Sequence, residues 1–483
     1  MYLLLLNPPY ERSMFSLVAA DFLKDIAFGF YPPLGLLYVA AAVEANSSHK
    51  VEVLDADVEG MSYEAIQQEV RQKNPDLVGI YTSSVALSMA YKTAKAVKEV
   101  NINILVIAGG PHAQIYPQET AALPEIDYVI LGEGEENVVN LLHCLEQDSD
   151  PACLDGIVFQ RDGEIIVSPR INWIKDLDAL PFPARYLTPF HKYHSLIGKD
   201  NISTTLMASR GCPYRCTFCY IPFDGKLRLR SVANIIDEIQ ACVAMGIKEF
   251  FFFDEIFTVN KERVIAICQE IMERKLDIIF DIRSRVDTID EEVIRHLKEA
   301  GCSRIQFGVE SASPEILQAM NKKITLEQVY QAFKLAKKYK LATLADFMLG
   351  YPGETREQMQ KTIELAKKLH PDFVQYAITV FYPATKIYQE AVEQGRVEDL
   401  WKRFAQNPDY KAPVPIASDL YSREEMVTLL TRAYNSFYLR PQYVWQRLKK
   451  VKSWSEFKRQ ARAGLQMLWY KLKGYFRKNL ILT

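Results

Sequence analysis

Three of the chain's eight cysteines fall within eight positions, in Gly211-Cys212-Pro213-Tyr214-Arg215-Cys216-Thr217-Phe218-Cys219-Tyr220. Thiolates are the ligands that iron–sulfur clusters and other soft metals prefer, and three this close on one loop can converge on a single centre. A closed four-iron cluster takes four protein thiolates, and the next cysteine, Cys242, lies inside a predicted helix. Three ligands leave one iron with an open position, able to bind and activate a small molecule. Two plainer readings compete: a tetrahedral zinc site completed by His191 or His194, and three unrelated buried thiols. Spacing, loop placement after a strand and the alternating pattern downstream favour cluster ligation. Eight cysteines are too few for a disulfide scaffold.

Charged residues recur at predicted strand ends. Asp254 and Glu255 follow a strand at 249–253, Arg283 and Arg285 close one at 278–283, and Glu310 follows one at 304–307. A carboxylate at a strand mouth suits an ammonium group, and a guanidinium there suits a carboxylate. Each also has a plainer role: Asp254 and Glu310 as helix caps, Arg285 in a surface pair. Nearer the start, Thr82-Ser83-Ser84, Gly109-Gly110-Pro111-His112 and Gly132-Glu133-Gly134-Glu135 follow successive strands. Small residues there let a large flat ligand approach the backbone, and the hydroxyls suit a polar tail. Glycine turns at such junctions are common, so these signals are weak alone.

The elements that carry these residues form two alternating series. Over residues 1–148, strands at 2–6, 51–54, 77–81, 104–108 and 128–131 alternate with helices at 34–45, 62–72, 88–97 and 135–144, the pattern of a doubly wound parallel sheet. Residues 149–200 read as a connector with a hairpin at 156–160 and 164–168. Over 201–400, strands at 204–208, 249–253, 278–283, 304–307, 343–349 and 373–379 alternate with helices at 232–245, 261–274, 291–300, 326–339 and 356–369. Six such repeats suit a partial (β/α)6 barrel with ligands at the carboxyl ends of its strands. Periodicity alone leaves an open sheet equally available. Residues 401–483 form a helical, basic C-terminal region.

Cys-x3-Cys-x2-Cys at the end of the first barrel strand, with Phe218 before the last cysteine, resembles the radical S-adenosylmethionine superfamily. The resemblance implies a [4Fe-4S] cluster held by Cys212, Cys216 and Cys219, with S-adenosylmethionine chelating the open iron and yielding a 5′-deoxyadenosyl radical on reduction. It implies contacts to S-adenosylmethionine from Phe218, Asp254, Glu255, Arg283, Arg285 and Glu310; Gly301–Ser311 resembles the fourth-strand motif. Gly350-Tyr351-Pro352-Gly353-Glu354 after the fifth strand fits the same superfamily, and its glycines also suit a simple turn. Asn7-Pro8-Pro9, Pro32-Pro33-Leu34-Gly35, Asp55 and the two glycine motifs resemble the cobalamin-binding domain that precedes many of these enzymes. That implies cobalamin contacts from Thr82, Ser83, Ser84, Gly109, Gly110, Gly132, Glu133 and Gly134. The Asp-x-His-x-x-Gly motif is missing, with Gly110 and Ile115 flanking His112, so no histidine is expected beneath cobalt; loss of cobalamin with retention of the fold is the alternative. Methyltransferases and the anaerobic magnesium-protoporphyrin cyclase share this layout. The implied activity is methylation of an unactivated carbon in a lipophilic or tetrapyrrole-like substrate, with oxidative cyclisation as the alternative. A non-catalytic iron–sulfur protein is a third reading that the open iron position disfavours.

Composition bounds these readings. In 483 residues, 49% are hydrophobic and 24% charged, ordinary for a globular protein of about three domains. A net charge of −2 does not favour wholesale nucleic-acid binding. The uncharged run 26–43 is broken by Pro32-Pro33 and reads as a turn entering a buried helix rather than a membrane span. No secretory signal opens the chain, and a cytoplasmic protein served by a flavodoxin- or ferredoxin-like electron donor is expected. Residues 431–483 carry 13 Lys and Arg against one acid, Glu456, for a net +12, leaving −14 on residues 1–430. Phe457, Ala461, Leu465, Leu468, Leu472 and Phe476 recur there at helical spacing, flanked by Trp454 and Trp469. A packed terminal helix with a solvated basic face explains this; peripheral contact with an anionic membrane explains it too.

Overall fold

The computed structural model describes all residues except 11–28, 169, 196–201, 221–224, 411 and 451–483. The apolar stripe expected at 457–476 therefore lies outside the described residues. Elements run in order β1 (Tyr2–Asn7), β2 (Gly29–Phe30), α1 (Leu34–Asn46), β3 (Lys50–Asp55), α2 (Tyr63–Lys73), β4 (Leu77–Tyr81), α3 (Leu87–Val100), β5 (Leu105–Gly109), α4 (Pro111–Ile115), α5 (Pro117–Ala121), β6 (Tyr128–Ile130) and α6 (Gly134–Glu146). β7 (Ile157–Arg161) and β8 (Glu164–Val167) complete a seven-stranded sheet of order β3-β1-β4-β5-β6-β7-β8. β1 and β3–β6 are parallel, as their continuous apolar runs predict. The hairpin expected in a separate connector instead extends this sheet antiparallel to β6, because Ile157, Val158 and Phe159 bury against it.

α1 and α6 cover one face of the sheet. α2 and α3 cover the other. α1 is apolar all round because the sheet takes one side while Tyr38, on its other side, meets arginines of the second domain. That accounts for most of the uncharged run. Among the described residues no helix is long and apolar enough to cross a membrane.

The second domain follows β9 (His194–Ser195), which pairs with β2. It comprises β10 (Ser203–Leu206), β11 (Ser209–Arg210), β12 (Arg228–Leu229), α7 (Val232–Ala244), β13 (Glu249–Phe252), α8 (Lys261–Glu273), β14 (Ile279–Ser284), α9 (Glu291–Glu299), β15 (Cys302–Glu310), α10 (Pro314–Ala319), α11 (Leu326–Lys338), β16 (Ala342–Leu349), α12 (Arg356–Leu369) and β17 (Phe373–Ile378). Six parallel strands pair in the order β10-β13-β14-β15-β16-β17. Their alternate residues, such as Phe280, Phe307 and Phe347, bury in one core with Cys242 and Cys302. Side-chain caps start the helices where the polar residue precedes the apolar stripe: Ser231, Asn260, Asp290, and capping boxes at Thr325/Gln328 and Thr355/Gln358.

α13 (Lys386–Glu393), α14 (Leu400–Gln406), α15 (Arg423–Tyr438) and α16 (Pro441–Lys450) follow. α15 lies along the free edge of β17. Tyr434 accepts from Tyr376 N–H at 3.1 Å and donates to its carbonyl at 3.0 Å; Tyr438 does the same for Val374 at 2.9 and 2.8 Å. Two hydroxyls spaced i, i+4 thus satisfy the peptide groups that an open edge leaves bare.

Candidate active site

The cysteine loop leaves β10 and is bracketed by a short hairpin, β11 pairing with β12 through Ser209↔Leu229 and Arg210↔Arg228. Gly211 holds φ +93°, and any Cβ there would run into the Lys226 carbonyl, so the loop's entry needs glycine. Thr217 anchors the middle: its N–H donates to Met320 carbonyl at 3.0 Å, and its hydroxyl meets Tyr351 hydroxyl at 2.7 Å. Phe218, between Cys216 and Cys219, packs half-buried against a cluster containing Tyr116, Met320 and Tyr351.

Cys216 is near enough to raise the pKa of both Cys212 and Cys219. For all three the first cause is desolvation, which pushes the thiols above their ordinary value. Cys219 reaches solvent, so water tempers that push. Lys322 and Arg285 beside Cys216 pull the other way. Among the described residues no three His, Cys, Asp or Glu are gathered tightly enough for one metal ion. A cubane holds its thiolates further apart than a single ion does. His194 pairs in β9, and its neighbour Tyr193 accepts from Ser203 N–H at the start of β10, at the opposite end from the cysteine loop. The zinc reading that borrowed His191 or His194 is thereby removed. Three neighbouring thiols graded from buried Cys216 to exposed Cys219, with Lys322 and Arg285 nearby, fit an anionic iron–sulfur cluster whose binding displaces protons.

The residues expected at the strand mouths divide into two groups. Asp254 is fully buried, and its carboxylate accepts from Ala208 N–H at 3.0 Å and from the Ser209 hydroxyl. It pins the end of β10, with one protein donor on each oxygen. Glu255 next to it is exposed, though surrounding protein raises its pKa and Arg283 opposes that rise. Arg285 is bidentate to Asp287 at 2.8 and 2.9 Å, donates to Lys322 carbonyl at 2.6 Å and stacks 3.8 Å from the Tyr214 ring. It braces the cysteine loop. Arg283 stacks 4.3 Å from Phe253 and 5.0 Å from Phe251, and has no hydrogen bond or ion pair among the described residues.

Glu310 ends β15 with φ +67°, where the register against β16 slips between Gly308 and Glu310. This left-handed geometry in a non-glycine residue is strained, a mark of functional sites. Its buried carboxylate accepts from Lys322 Nζ at 2.7 Å. Burial lowers the Lys322 pKa, but the Glu310 charge and hydrogen bond more than reverse this, and the amine is held above its ordinary value. A Cβ on Gly308 would lie 2.5 Å from Glu310 Oε1 and 2.8 Å from Lys322 Nζ. Lys322 was not expected; it sits in a charged turn that reads as solvated. Asp346 was also missed, although a carboxylate within the apolar strand Ala342–Leu349 is itself a signal. Gln306 Nε2 donates to its Oδ2 at 2.8 Å, its Oδ1 is buried without a partner, and burial, then Glu310, pushes its pKa up to about 7.

At the strand ends of the N-terminal sheet, Thr82 donates to Gly109 carbonyl at 3.0 Å and Ser84 shares a 3.1 Å hydrogen bond with His112 Nδ1. Two of the three hydroxyls expected to meet cobalamin thus have protein partners, and the third, on Ser83, belongs to a half-buried residue. His112 is fully buried, its Nε2 has no partner, and burial pulls its pKa down to about 4. Gly110, at φ +120°, packs against Thr82 carbonyl, where an added Cβ would lie 2.5 Å away. A small cavity of about 10 Å³, room for about one water, lies between these strands and α3, lined by Ile80, Thr82, Leu87, Ala108 and Thr120 among others. The small-residue strand end and the orphaned imidazole nitrogen suit the close approach of a large planar cofactor; the cavity itself holds no more than a water.

Glu133 does something else. Arg210 Nη1 and Arg228 Nη1 donate to it at 2.7 and 2.6 Å, Ile174 N–H at 2.8 Å, and Arg210 Nη2 reaches Glu135 at 2.6 Å. Expected at cobalamin, Glu133 is held by the two strands that bracket the cysteine loop. Gly132, at φ +73°, and Gly134 pack against Ile171 and Val39.

The chain matches the Radical SAM superfamily over residues 206–366 and the B12 binding domain over residues 25–142. It is 35% identical over 448 residues to an uncharacterized methyltransferase of Pyrococcus horikoshii, covering 91% of this chain and 93% of that one. It is 29% identical to the anaerobic magnesium-protoporphyrin IX monomethyl ester cyclase of Rubrivivax gelatinosus, over 85% of this chain and 74% of the relative. The fold resembles that of the radical S-adenosylmethionine methyltransferase TsrM from Kitasatospora setae, with TM-score 0.67 and 19% identity over 81% of this chain and 78% of that one. Two linked modules, each matched in the order the elements run, leave one conclusion: the chain belongs to the B12-binding radical S-adenosylmethionine enzymes, a family that includes methyltransferases and anaerobic magnesium-protoporphyrin IX monomethyl ester cyclases.

Proposed function

We propose that the protein is a cobalamin-dependent radical S-adenosylmethionine methyltransferase acting on an unactivated carbon of a lipophilic or tetrapyrrole-like small molecule. The observation that carries the reading is the double grip of Arg210 and Arg228 on Glu133, which makes the cysteine loop and the strand ends of the B12 domain one wall. Cys212, Cys216 and Cys219 are the ligands assigned to the [4Fe-4S] cluster. Glu255 and Arg283, the carboxylate and guanidinium with room for a partner, are assigned to the amine and carboxylate of S-adenosylmethionine, with Phe218 and Glu310 beside them. Ser83, Gly109 and Gly110 are assigned to cobalamin. When bound, these groups supply a hydrogen-abstracting 5′-deoxyadenosyl radical and a transferable methyl group. The chain's own residues orient and shield: Lys322 and Arg285 set positive charge beside Cys216, and Asp346 can hold or release a proton at Oδ1 near neutral pH. Electrons would come from a flavodoxin- or ferredoxin-like donor.

Anaerobic reconstitution followed by incubation with isotopically labelled S-adenosylmethionine and candidate substrates tests this. Methyl label in the product with equal release of 5′-deoxyadenosine and S-adenosylhomocysteine is expected. Deoxyadenosine with an oxidised or cyclised, unmethylated product would favour the second reading, oxidative ring closure, which the Rubrivivax relative supports. No deoxyadenosine from a fully loaded cluster would leave only an electron-transfer or binding role.

A further inference from the structure

α16 is amphipathic the wrong way round. Tyr443 donates its hydroxyl to Asp372 carbonyl at 2.9 Å, and Arg447 lies 3.8 Å from Asp372 and 4.6 Å from the Phe373 ring, so the helix docks on the barrel through these two residues. The stripe Pro441, Val444, Trp445 and Leu448, spaced i, i+3, i+4 and i+7, faces solvent instead. Val444, Trp445 and Leu448 are 45%, 59% and 54% exposed, beside Lys449, whose Nζ sits 3.2 Å from the centre of the Trp445 ring.

We infer that this stripe is a docking surface for an anionic lipid bilayer. Charge decides between occupants. Residues 431–483 carry +12, and the 33 residues after α16 hold eight Lys and Arg and one acid. A second copy seated through the same basic region, or the chain's own tail, would bring like charge against like. Three side chains also fall far short of the roughly 1,200 Å² that a stable dimer buries. A nucleic acid would satisfy the charge but leave Trp, Leu and Val without apolar partners. A bilayer with anionic headgroups satisfies both: the apolar side chains enter the acyl boundary while Lys and Arg remain at headgroup level. α16 sits beside the N-terminal end of β17, whereas the cysteine loop leaves the C-terminal end of β10, so docking leaves the barrel mouth clear. The inference is independent of which reaction the enzyme performs.

The test is co-sedimentation of the full-length protein with vesicles of phosphatidylcholine alone and with about one-quarter phosphatidylglycerol, compared with Trp445→Ser/Leu448→Ser. Wild type should pellet with the anionic vesicles and progressively less as salt rises, and the double variant should lose roughly tenfold or more in partition. Both residues are exposed, so the variant should keep the wild-type melting temperature, which is measured alongside. Absence of wild-type binding to anionic vesicles, or equal binding by the variant, would overturn the inference. So would a wild-type dimer in sedimentation velocity that the variant converts to monomer, or a DNA duplex that wild type binds and the variant does not.

Discussion

Arg228 Nη1 lies 2.6 Å from Glu133 Oε2, joining the second strand of the hairpin around the cysteine loop to the strand end of the N-terminal sheet. Both side chains are nearly enclosed, and Arg210 shares the same carboxylate. Removing Glu133 from this buried network strips one carboxylate from each of two nearly enclosed arginines and leaves their charge undercompensated. Glu133→Ala should therefore destabilise the protein by about 3–5 kcal/mol in urea unfolding, with Glu133→Gln retaining part of the hydrogen bonding. Little change in midpoint would mean that the two domains do not rely on this contact.

The same carboxylate gives a pH signature. Burial raises its pKa, but Arg228 and Arg210 outweigh that and hold it below the ordinary range. Its contribution is therefore complete above the unfolded value, about 4.3, and is lost as pH falls through the lower folded value. Melting temperature measured downward from pH 6 should drop in wild type with a component that Glu133→Gln lacks. Parallel profiles would contradict the assignment.

Adjacent acids at the end of β13 should behave differently. Asp254→Asn breaks the anchor on Ala208 and Ser209 and should cost about 1–3 kcal/mol of stability. Glu255→Gln should leave stability unchanged and weaken S-adenosylmethionine binding about tenfold, the loss of one charged contact. Calorimetric titration with the reconstituted protein, beside thermal melts of both variants, separates them; the reverse pattern would reassign the ligand to Asp254.

Gly308 has no room for a methyl group. Gly308→Ala must displace Glu310 or Lys322, at a cost of about 1–3 kcal/mol, and should alter the low-temperature electron paramagnetic resonance signal of the reduced cluster with S-adenosylmethionine. A folded variant with wild-type spectrum would show that the Glu310–Lys322 pair does not bear on the cluster.

Asp346 predicts the opposite pH trend from Glu133. Its folded pKa, about 7, lies above the unfolded value near 3.9, so the folded protein holds the extra proton between them. Its contribution is fully present below pH 3.9 or so and is lost as pH rises through 7. The urea midpoint of Asp346→Asn should lack that decline, and an unchanged slope would place the titration elsewhere.

Much of this architecture is written in local pattern. β4 falls at the expected 77–81, the barrel strands within a few residues of their expected positions, and the cysteine loop follows the first of them, separated from β10 by the two-residue β11. Apolar runs and caps act over a few residues, which is why they are legible. What escaped depends on distance in sequence. Glu133 meets arginines 77 and 95 positions away, and nothing near it distinguishes a cofactor ligand from a domain clamp. The donors to Asp254, Ala208 N–H and the Ser209 hydroxyl, stand 46 and 45 positions away, so nothing local announces them. β11 and β12, two residues each, are too short for any periodicity to register. Tyr434 and Tyr438 read as core aromatics, and only the open edge of β17 gives their hydroxyls a purpose.

The most direct measurement is iron, acid-labile sulfide and 5′-deoxyadenosine in anaerobically reconstituted wild type beside Cys212→Ala/Cys216→Ala/Cys219→Ala. Wild type should hold about four iron and four sulfide per chain and release deoxyadenosine from S-adenosylmethionine under reduction, with both lost in the triple variant. A triple variant that keeps its iron and still releases deoxyadenosine would contradict the account.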